Sequence, residues 1–214
     1  MKIRTRIAVF LAAPLLLVAC NKQQETAKPA AAAPAAYRVY VTNETGNTVS
    51  VIDGATNKIV ETIQVGTRPR GIHASADGKT LYVTLSGSPI AGPGVDEDKL
   101  PPPDRTKDGI AVIDVATNKV VKTLTGIVNP EQVTVTEGGK LFAGSEDKAQ
   151  VEAIDSASGD HLASIPIPGA PEGVAVSPDG KFLYATSEEG EKVYIVDAAT
   201  NAIVTTLPVG GRPG

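Results

Sequence analysis

Charged residues lie beside prolines at several places in the chain, and together their side chains could bind a ligand. Arg68 and Arg70 flank one proline, Glu131 and Glu172 each follow another, and Arg212 precedes a fourth. Guanidinium and carboxylate groups brought to one place could orient a polar ligand or hold a cation. These five residues are the predicted ligand-binding set. The alternative interpretation is a solvated rim that binds nothing.

Histidine supplies one further candidate. His73 follows the first of these prolines and aligns with Thr134 and Ala175 after two later ones. This alignment predicts that His73 lies on an innermost strand, between blades or beside the central channel of a propeller. We add His73 to the ligand-binding candidates, against the alternative of a packed or hydrogen-bonded imidazole. The sequence has no haem-attachment motif, phosphate loop or serine nucleophile elbow. The leading interpretation therefore includes no catalytic residue, no metal centre and no cofactor.

Residues 86–108 form an insertion that contains five prolines and many charged residues. A loop of this length without its own secondary structure is usually functional or disordered, and prolines reduce the entropy that is lost on ordering. We predict a lid or partner-contact element above the charged residues; the alternative is a passive insertion. The predicted contact residues are Asp96, Glu97, Asp98, Asp104 and Arg105.

The elements that must position these residues repeat along the chain. An Asp-x-Ala-Thr-Asn turn occurs at Asp53, Asp114 and Asp197, with a variant at Asp155. The steps between these aspartates are 61, 41 and 42 residues, and the long step holds the insertion. Alternating apolar and polar residues between tight turns predict short strands. A repeat of this length predicts an all-β propeller of four-stranded antiparallel blades.

Three motifs resemble the YVTN family of β-propeller proteins. They are Tyr-Val-Thr-Asn at 40–43, the Asp-x-Ala-Thr-Asn turn, and Ser-Pro-Asp-Gly-Lys at 177–181. The resemblance covers residues 37–214 and implies a seven-bladed wheel, of which about four blades are present. An arc of four blades leaves open sheet edges, which are a liability for a folded protein. We therefore expect this sequence to be the N-terminal part of a longer chain.

Strand order predicts where the candidate residues meet. Innermost strands are expected at 71–75, 132–136 and 173–177. Connections of an antiparallel meander alternate between the two ends of the strands, so the proline links and the insertion 86–108 fall on one face. Irregular connections carry function more often than short repeated turns do. The repeated aspartates are expected to bond turn amides; a metal or acid–base role is the alternative.

The N-terminal region has the pattern of an exported lipoprotein. Three basic residues precede an apolar stretch that closes with Leu-Val-Ala-Cys at 17–20. This pattern is typical of a lipoprotein signal peptide over residues 1–20, with acylation of Cys20; the alternative is an ordinary secretory signal. Residues 21–36, rich in alanine and proline, are a predicted linker. The expected location is the cell envelope, at the inner membrane, the outer membrane or the cell surface, with the lipid bilayer as the partner of Cys20.

Composition and motifs together favour binding over catalysis. The formal net charge of −4 and the lack of a basic run argue against nucleic acid as a partner. We expect a non-catalytic binding or scaffold propeller that takes a periplasmic protein or a small polar ligand. The residues 68–72 and 171–173 resemble YVTN proteins associated with quinoprotein alcohol oxidation, which implies an accessory role there. One alternative is a lactonase-like hydrolase with a metal on Glu131 and Glu172, and another is a surface-layer or adhesion protein.

Overall fold

The structure is a computed structural model that describes residues 37–96 and 99–214. The predicted signal peptide, Cys20, the linker, Glu97 and Asp98 lie outside the described residues. The strands of the described part follow one another in chain order, separated by turns and loops. Their bounds are β1 Arg38–Asn43, β2 Thr48–Asp53, β3 Lys58–Gln64, β4 Pro69–Ala74, β5 Thr80–Leu85, β6 Gly109–Asp114, β7 Lys119–Leu124, β8 Pro130–Val135, β9 Lys140–Ser145, β10 Gln150–Asp155, β11 His161–Pro166, β12 Pro171–Val176, β13 Phe182–Ser187, β14 Lys192–Asp197 and β15 Ile203–Pro208.

These strands form four antiparallel sheets in which sequence neighbours pair. Blade 1 has the order β1-β2-β3, and blades 2, 3 and 4 are the four-stranded meanders β4–β7, β8–β11 and β12–β15. The first strands of the full blades lie side by side, with β8 in contact with β4 on one side and with β12 on the other. Radially repeated small sheets of this kind are propeller blades. The predicted all-β propeller with about four blades is confirmed.

The apolar core lies between neighbouring blades. Val49 and Val51 of β2 pack against Val83 of β5 and Ile113 of β6, and all four are fully buried. Equivalent clusters fill the junctions between blades 2 and 3 and between blades 3 and 4. Burying one such side chain stabilises the fold by about 1.5–3 kcal/mol. Blade-on-blade packing therefore holds the inner strands, and their polar ends, in place.

The repeated aspartates form turns. Asp53 Oδ1 accepts hydrogen bonds from the amides of Ala55 (3.1 Å) and Thr56 (2.8 Å), and Asn57 closes the turn in the left-handed region with φ 55°. Asp114 and its other counterparts make the same contacts. Hydrogen bonds from the threonine hydroxyl and amide hold the pKa of the Asp53 carboxyl below its ordinary value. The geometry agrees with the Asx-type role.

The inner strands begin two residues earlier than the sequence predicts, at Pro69, Pro130 and Pro171. Proline is compatible with the first position of a strand because no ladder hydrogen bond is needed from its nitrogen. In each of these strands the register against the next strand shifts just after the proline. Each inner strand therefore starts with a bulge, a feature that re-aims side chains.

Within the described residues, no helix is both long enough and apolar enough to cross a membrane.

Candidate functional site

The proline links and the insertion 86–108 surround one cavity of about 530 Å³, which we call the mouth. Its walls come from the proline links, from the starts of the inner strands and from the connections that follow the second strand of blades 2, 3 and 4. The structure brings together Arg68, Arg70, Glu172 and Arg212 there, with Glu131 buried beside Arg70. The five charged residues nominated from the links thus meet at one end of the strands. Their ligand binding stays a prediction.

The residue before each link proline has an unusual backbone conformation. Arg68, Asn129, Ala170 and Arg212 have φ values of 45°, 44°, 55° and 43°. Non-glycine residues in this left-handed region cost about 1–2 kcal/mol each, and a following proline restricts the backbone further. The same conformation in four links shows that it belongs to the repeat. It sets the direction in which each link side chain leaves the backbone.

Arg70 is the centre of the charged cluster. Its Nη1 contacts Oε1 of Glu131, whose side chain is 4% exposed, and lies 3.7 Å from Oε2 of Glu146. Burial, with a contribution from neighbouring Arg68, lowers the pKa of the Arg70 guanidinium from its ordinary value. Arginine nevertheless stays charged in proteins. Arg70 therefore brings one fixed positive charge to the bottom of the mouth.

Glu172 completes a group of three carboxylates around that single guanidinium. One carboxylate oxygen each from Glu131, Glu146 and Glu172 lies within 4.8 Å of the other two. Among the described residues, no cationic group forms an ion pair with Glu172, although Arg70 and Arg212 act on it at longer range. Burial first, then Glu188 and Glu146, raise the pKa of Glu172 above its ordinary value, against the opposite effect of the two arginines. Negative charge is in excess here.

A row of three glutamates, missed by the sequence reasoning, lies at the mouth, and one of them, Glu146, also belongs to this cluster. Glu44, Glu146 and Glu188 each directly follow the last residue of a blade's YVTN-like strand. Glu44 Oε2 lies 3.0 Å from Nε of Arg68, and Glu188 Oε1 lies 2.5 Å from Nε of Arg212. Their recurrence at one position of the repeat was a signal from which they could have been found.

Blade 3 departs from this pairing, which explains the carboxylate cluster. In blades 1 and 4 the glutamate pairs with an arginine of the link that leaves the same blade. The link that leaves blade 3 has Ala170 at that position. Glu146 therefore turns to other partners and accepts a hydrogen bond from Nδ2 of Asn129 at 2.8 Å. The replacement of arginine by alanine leaves one carboxylate at the mouth without its usual countercharge.

The insertion is tied to the body of the blades at both ends. Asp108, with a side chain that is 1% exposed, accepts hydrogen bonds from the amides of Gly87 (2.6 Å) and Asn129 (2.8 Å). Arg105 lies 3.3 Å from Asp108 and also pairs with Asp147 of blade 3. A Cβ at position 87 would lie 1.8 Å from a backbone oxygen of the loop, so only glycine fits there.

Of the predicted contact residues that the structure describes, Asp96, Asp104 and Arg105 do not line the mouth, and their role as partner contacts stays a prediction. Its cavity wall is formed by Ser88, Pro89, Ala91 and the segment 100–103. Asp104 instead caps a short 3-10 turn through the amide of Thr106, and Asp96 pairs with Lys99 at 3.1 Å. The described part of the insertion is therefore an anchored wall of the mouth, and four of its five prolines line the cavity. A lid motion stays a prediction.

His73 lies at the opposite end of the inner strands. It lines a second cavity of about 280 Å³, which we call the base, together with Thr134, Glu137 and Ser177. His73 is three residues beyond Arg70 on the same strand, and a strand rises about 3.3 Å per residue. The grouping of His73 with the mouth residues was therefore wrong, because about 10 Å separates the two positions along β4. Burial lowers the pKa of His73.

The arrangement at the mouth is suited to holding a cation. One guanidinium faces three carboxylates, while the other mouth arginines are engaged by carboxylates of their own. The described lining contains neither histidine nor cysteine. Carboxylate oxygens are ligands for Ca²⁺ and for protonated amines. An anionic ligand would meet the excess of negative charge and is disfavoured.

Comparisons with known proteins address the fold. A solved structure of Kuenenia stuttgartiensis hydrazine synthase matches with a TM-score of 0.65 and 20% identity, over 79% of this chain and 45% of that chain. At this identity the likeness shows the fold alone. The fold is that of a β-propeller. No protein-family profile matches the sequence.

Two curated relatives match a shorter stretch. They are both described as uncharacterized protein YncE, one from Salmonella typhi and one from Salmonella typhimurium. Each is 44% identical over 52 residues, which are 24% of this chain and 15% of the relative. The chain therefore spans less than half the length of the hydrazine synthase and a small part of YncE.

Proposed function

We propose that this β-propeller is an envelope-anchored, non-catalytic binding protein of the YVTN type, whose mouth holds a ligand through a cationic group. The observation that carries the proposal is the meeting of three carboxylates around one guanidinium, Glu131, Glu146 and Glu172 around Arg70, under a cavity of about 530 Å³. A site with excess negative charge attracts cations and repels anions. The proline wall supplies apolar surface for the rest of a ligand.

Tethering to a membrane is supported by the sequence alone. Cys20 closes a lipoprotein signal pattern, and the alanine- and proline-rich residues 21–36 would space the propeller from the bilayer. Metabolic labelling with a fatty acid tests this, with Cys20→Ser as the matched control. Label in the wild type that is lost in Cys20→Ser supports anchoring; equal label in both contradicts it.

Titration calorimetry on the full chain tests the ligand class. The probes are Ca²⁺, the linear diamine 1,4-diaminobutane, and succinate as an anion of similar length. We expect one cation to bind and succinate to give no heat of binding. Glu172→Gln should raise the dissociation constant of the cation by about tenfold, which corresponds to about 1.4 kcal/mol of binding free energy. Binding of succinate in preference to both cations would contradict the proposal, and Ca²⁺ against the diamine distinguishes a metal from an amine.

A partnership with periplasmic quinoprotein oxidation is the finer part of the proposal. It is supported by the resemblance of residues 68–72 and 171–173 to YVTN proteins of that pathway. Cofractionation of the tagged full chain with a quinoprotein dehydrogenase tests it. A dehydrogenase that elutes apart from the propeller at all salt concentrations contradicts it.

The cluster itself favours a second candidate function, metal-dependent hydrolysis of a lactone. Three carboxylate oxygens within 4.8 Å of one another could hold a divalent metal at the bottom of the mouth, where it would polarise the ester carbonyl. The test is lactone turnover with Ca²⁺ or Mn²⁺, before and after chelation. Turnover that is lost on chelation and in Glu146→Gln supports this function; turnover that is absent with both metals argues against it.

A further inference from the structure

The charged inner-strand residues of the mouth lie on main-chain bulges. In blade 2 the register of β4 against β5 shifts so that Arg70 and Gly71 together oppose Thr84. The same shift occurs in blades 3 and 4, where Gly144 and Thr186 take the place of Thr84. A bulge leaves main-chain groups outside the strand ladder, and buried main-chain groups need a hydrogen-bond partner.

Threonine hydroxyls supply those partners and cross from blade to blade. Oγ1 of Thr84 accepts a hydrogen bond from the amide of Gly71 at 2.7 Å and donates one to the carbonyl of Glu131 in the next blade. Thr42 of blade 1 likewise donates from Oγ1 to the carbonyl of Arg70 at 2.9 Å. Each hydroxyl is the third residue of a Tyr-Val-Thr segment. Each therefore fixes the main chain of a charged mouth residue in the following blade.

Blade 3 lacks this hydroxyl. Gly144 stands at the threonine position, and a Cβ there would lie 2.8 Å from the carbonyl oxygen of Pro171 in blade 4. Backbone thus occupies the space that a threonine side chain would need. The main chain of Glu172 receives no hydroxyl from blade 3, so this carboxylate lacks the support given to Arg70 and Glu131.

We propose that Thr42 and Thr84 are positioning residues of the mouth, which fix Arg70 and Glu131, and that Gly144 leaves Glu172 as the carboxylate that adjusts to a ligand. A rigid pair at the bottom keeps the charge of the site in place. A movable carboxylate beside it lets the site fit cations of different size. The contact of Glu172 with a ligand rests on the proposed function; the difference in mobility is a property of the free protein.

NMR relaxation on the full chain tests the proposal without any ligand. Order is measured at Arg70 Nε and at the γ-methylene groups of Glu131 and Glu172. We expect high order at the first two positions and clearly lower order at Glu172. Thr84→Val keeps the side-chain shape but removes the hydroxyl. It should speed hydrogen exchange of the Gly71 amide by about tenfold, the scale of one lost hydrogen bond, and lower the order at Glu131.

Matched variants separate positioning from a general loss of stability. Thr186 accepts a hydrogen bond from the amide of Gly173 at 2.7 Å within its own blade. Thr186→Val should therefore speed exchange at Gly173 and leave Glu131 unchanged. Thr84→Ser, which keeps a hydroxyl, should restore the order at Glu131. If Thr84→Val does not fold, Thr42→Val gives the equivalent measurement at Arg70.

Two results would overturn the inference. One is equal order at Glu131 and Glu172 in the wild type. The other is unchanged order at Glu131 in folded Thr84→Val. Titration of the same variants with Ca²⁺ keeps this inference apart from the proposed function. Loss of the Thr84 hydroxyl should lower the affinity for Ca²⁺ by about tenfold, because the loss of groups that support the ligands has this effect at other metal sites. A wild type that binds no Ca²⁺ but shows the expected order contradicts Ca²⁺ as ligand and leaves the positioning role supported.

Discussion

The mouth and the base lie at the two ends of the same three inner strands, yet they are lined by different types of residue. The mouth gathers arginines, glutamates and a proline wall around about 530 Å³. The base has about 280 Å³ with one imidazole, one carboxylate and otherwise small or hydroxyl-bearing residues. The strands themselves are repeats of one pattern. The difference must therefore come from the connections that each end receives.

Short repeated turns fix one end and leave the other free to vary. The base is closed by tight hairpins such as Asp77-Gly78-Lys79, where Gly78 has φ 67°. The mouth receives the longer links and the insertion 86–108. The hydroxyl of Ser86 donates a hydrogen bond to Oδ1 of Asn129, and the side chains of Asn47 and Asp108 accept hydrogen bonds from main-chain amides of the links. Chemical variety can accumulate in these connections because the pairing of strands within each sheet does not depend on them. The comparison teaches that the repeated strands and turns form the scaffold, whereas the connections that differ between blades form the candidate site.

The largest expected effect is on folding stability, and it compares the side-chain contacts that stabilise the mouth with those that stabilise the base. Asp108→Ala at the mouth removes a buried carboxylate that accepts two main-chain hydrogen bonds and pairs with Arg105. We expect the free energy of unfolding to fall by about 3 kcal/mol, because buried donors lose their partner. The measurement is urea unfolding.

The matched variant at the base is Asp77→Ala, in an exposed turn. Its loss of stability should be clearly smaller than that of Asp108→Ala. Equal losses in the two variants would show that the ends are held by contacts of similar strength, and would break the comparison.

A smaller effect is expected from two carboxylates whose pKa values are shifted in opposite directions, Glu172 upward and Asp179 downward. Burial raises the pKa of Glu172 at the mouth. Between the ordinary pKa and the raised one, the unfolded chain loses its proton first, so the free energy of unfolding falls as the pH rises. Glu172→Gln should therefore gain stability relative to the wild type across that range. Hydrogen bonds from Ser177 and Lys181 lower the pKa of Asp179, in a hairpin at the base, to about 2. Its stabilisation is present above its ordinary pKa and is lost as the pH falls towards 2.

Stability curves for Glu172→Gln and Asp179→Asn between pH 2 and pH 7 check both signs. We expect Asp179→Asn to be less stable than the wild type at neutral pH and to match it near pH 2. A Glu172→Gln variant that is less stable than the wild type at neutral pH would contradict the raised pKa of Glu172.

The smallest effect is expected at His73 of the base. Burial lowers its pKa, so below the ordinary value of about 6.5 the unfolded chain takes up a proton first and stability falls as the pH drops. His73→Gln should remove this part of the pH dependence below about pH 6.5, without changing the binding of cations at the mouth. The effect is small because the His73 side chain is exposed and solvent screens its charge. A change in cation affinity in His73→Gln would contradict the separation of the two ends.

Much of the scaffold could be predicted from local patterns. Turn residues, alternation and the repeated aspartates predict strands and their order because hydrogen bonds within a meander join sequence neighbours. The same logic predicts that the proline links meet, since every link returns to the same end of the strands. Arg70, Glu131 and Glu172 could therefore be nominated before any coordinates were known.

The partners of these residues could not be predicted in the same way. The approach of Glu146 to Glu131 depends on the missing arginine at Ala170, and the crossing hydroxyl of Thr84 depends on a bulge in the neighbouring strand. His73 shows a different error. The alignment of the repeats predicted the strand on which His73 lies, but not which end of that strand it is near. Each of these facts concerns contacts between blades.

The sequence by itself determined the blades, their turns and the end of the wheel at which the irregular links collect. The reason is that pleat period and turn chemistry act over a few residues and repeat in every copy. Only the tertiary structure decided which charges are paired, which carboxylate is left over and how far the imidazole lies from them. Those outcomes depend on distances of a few ångströms between blades, which blade-on-blade packing sets.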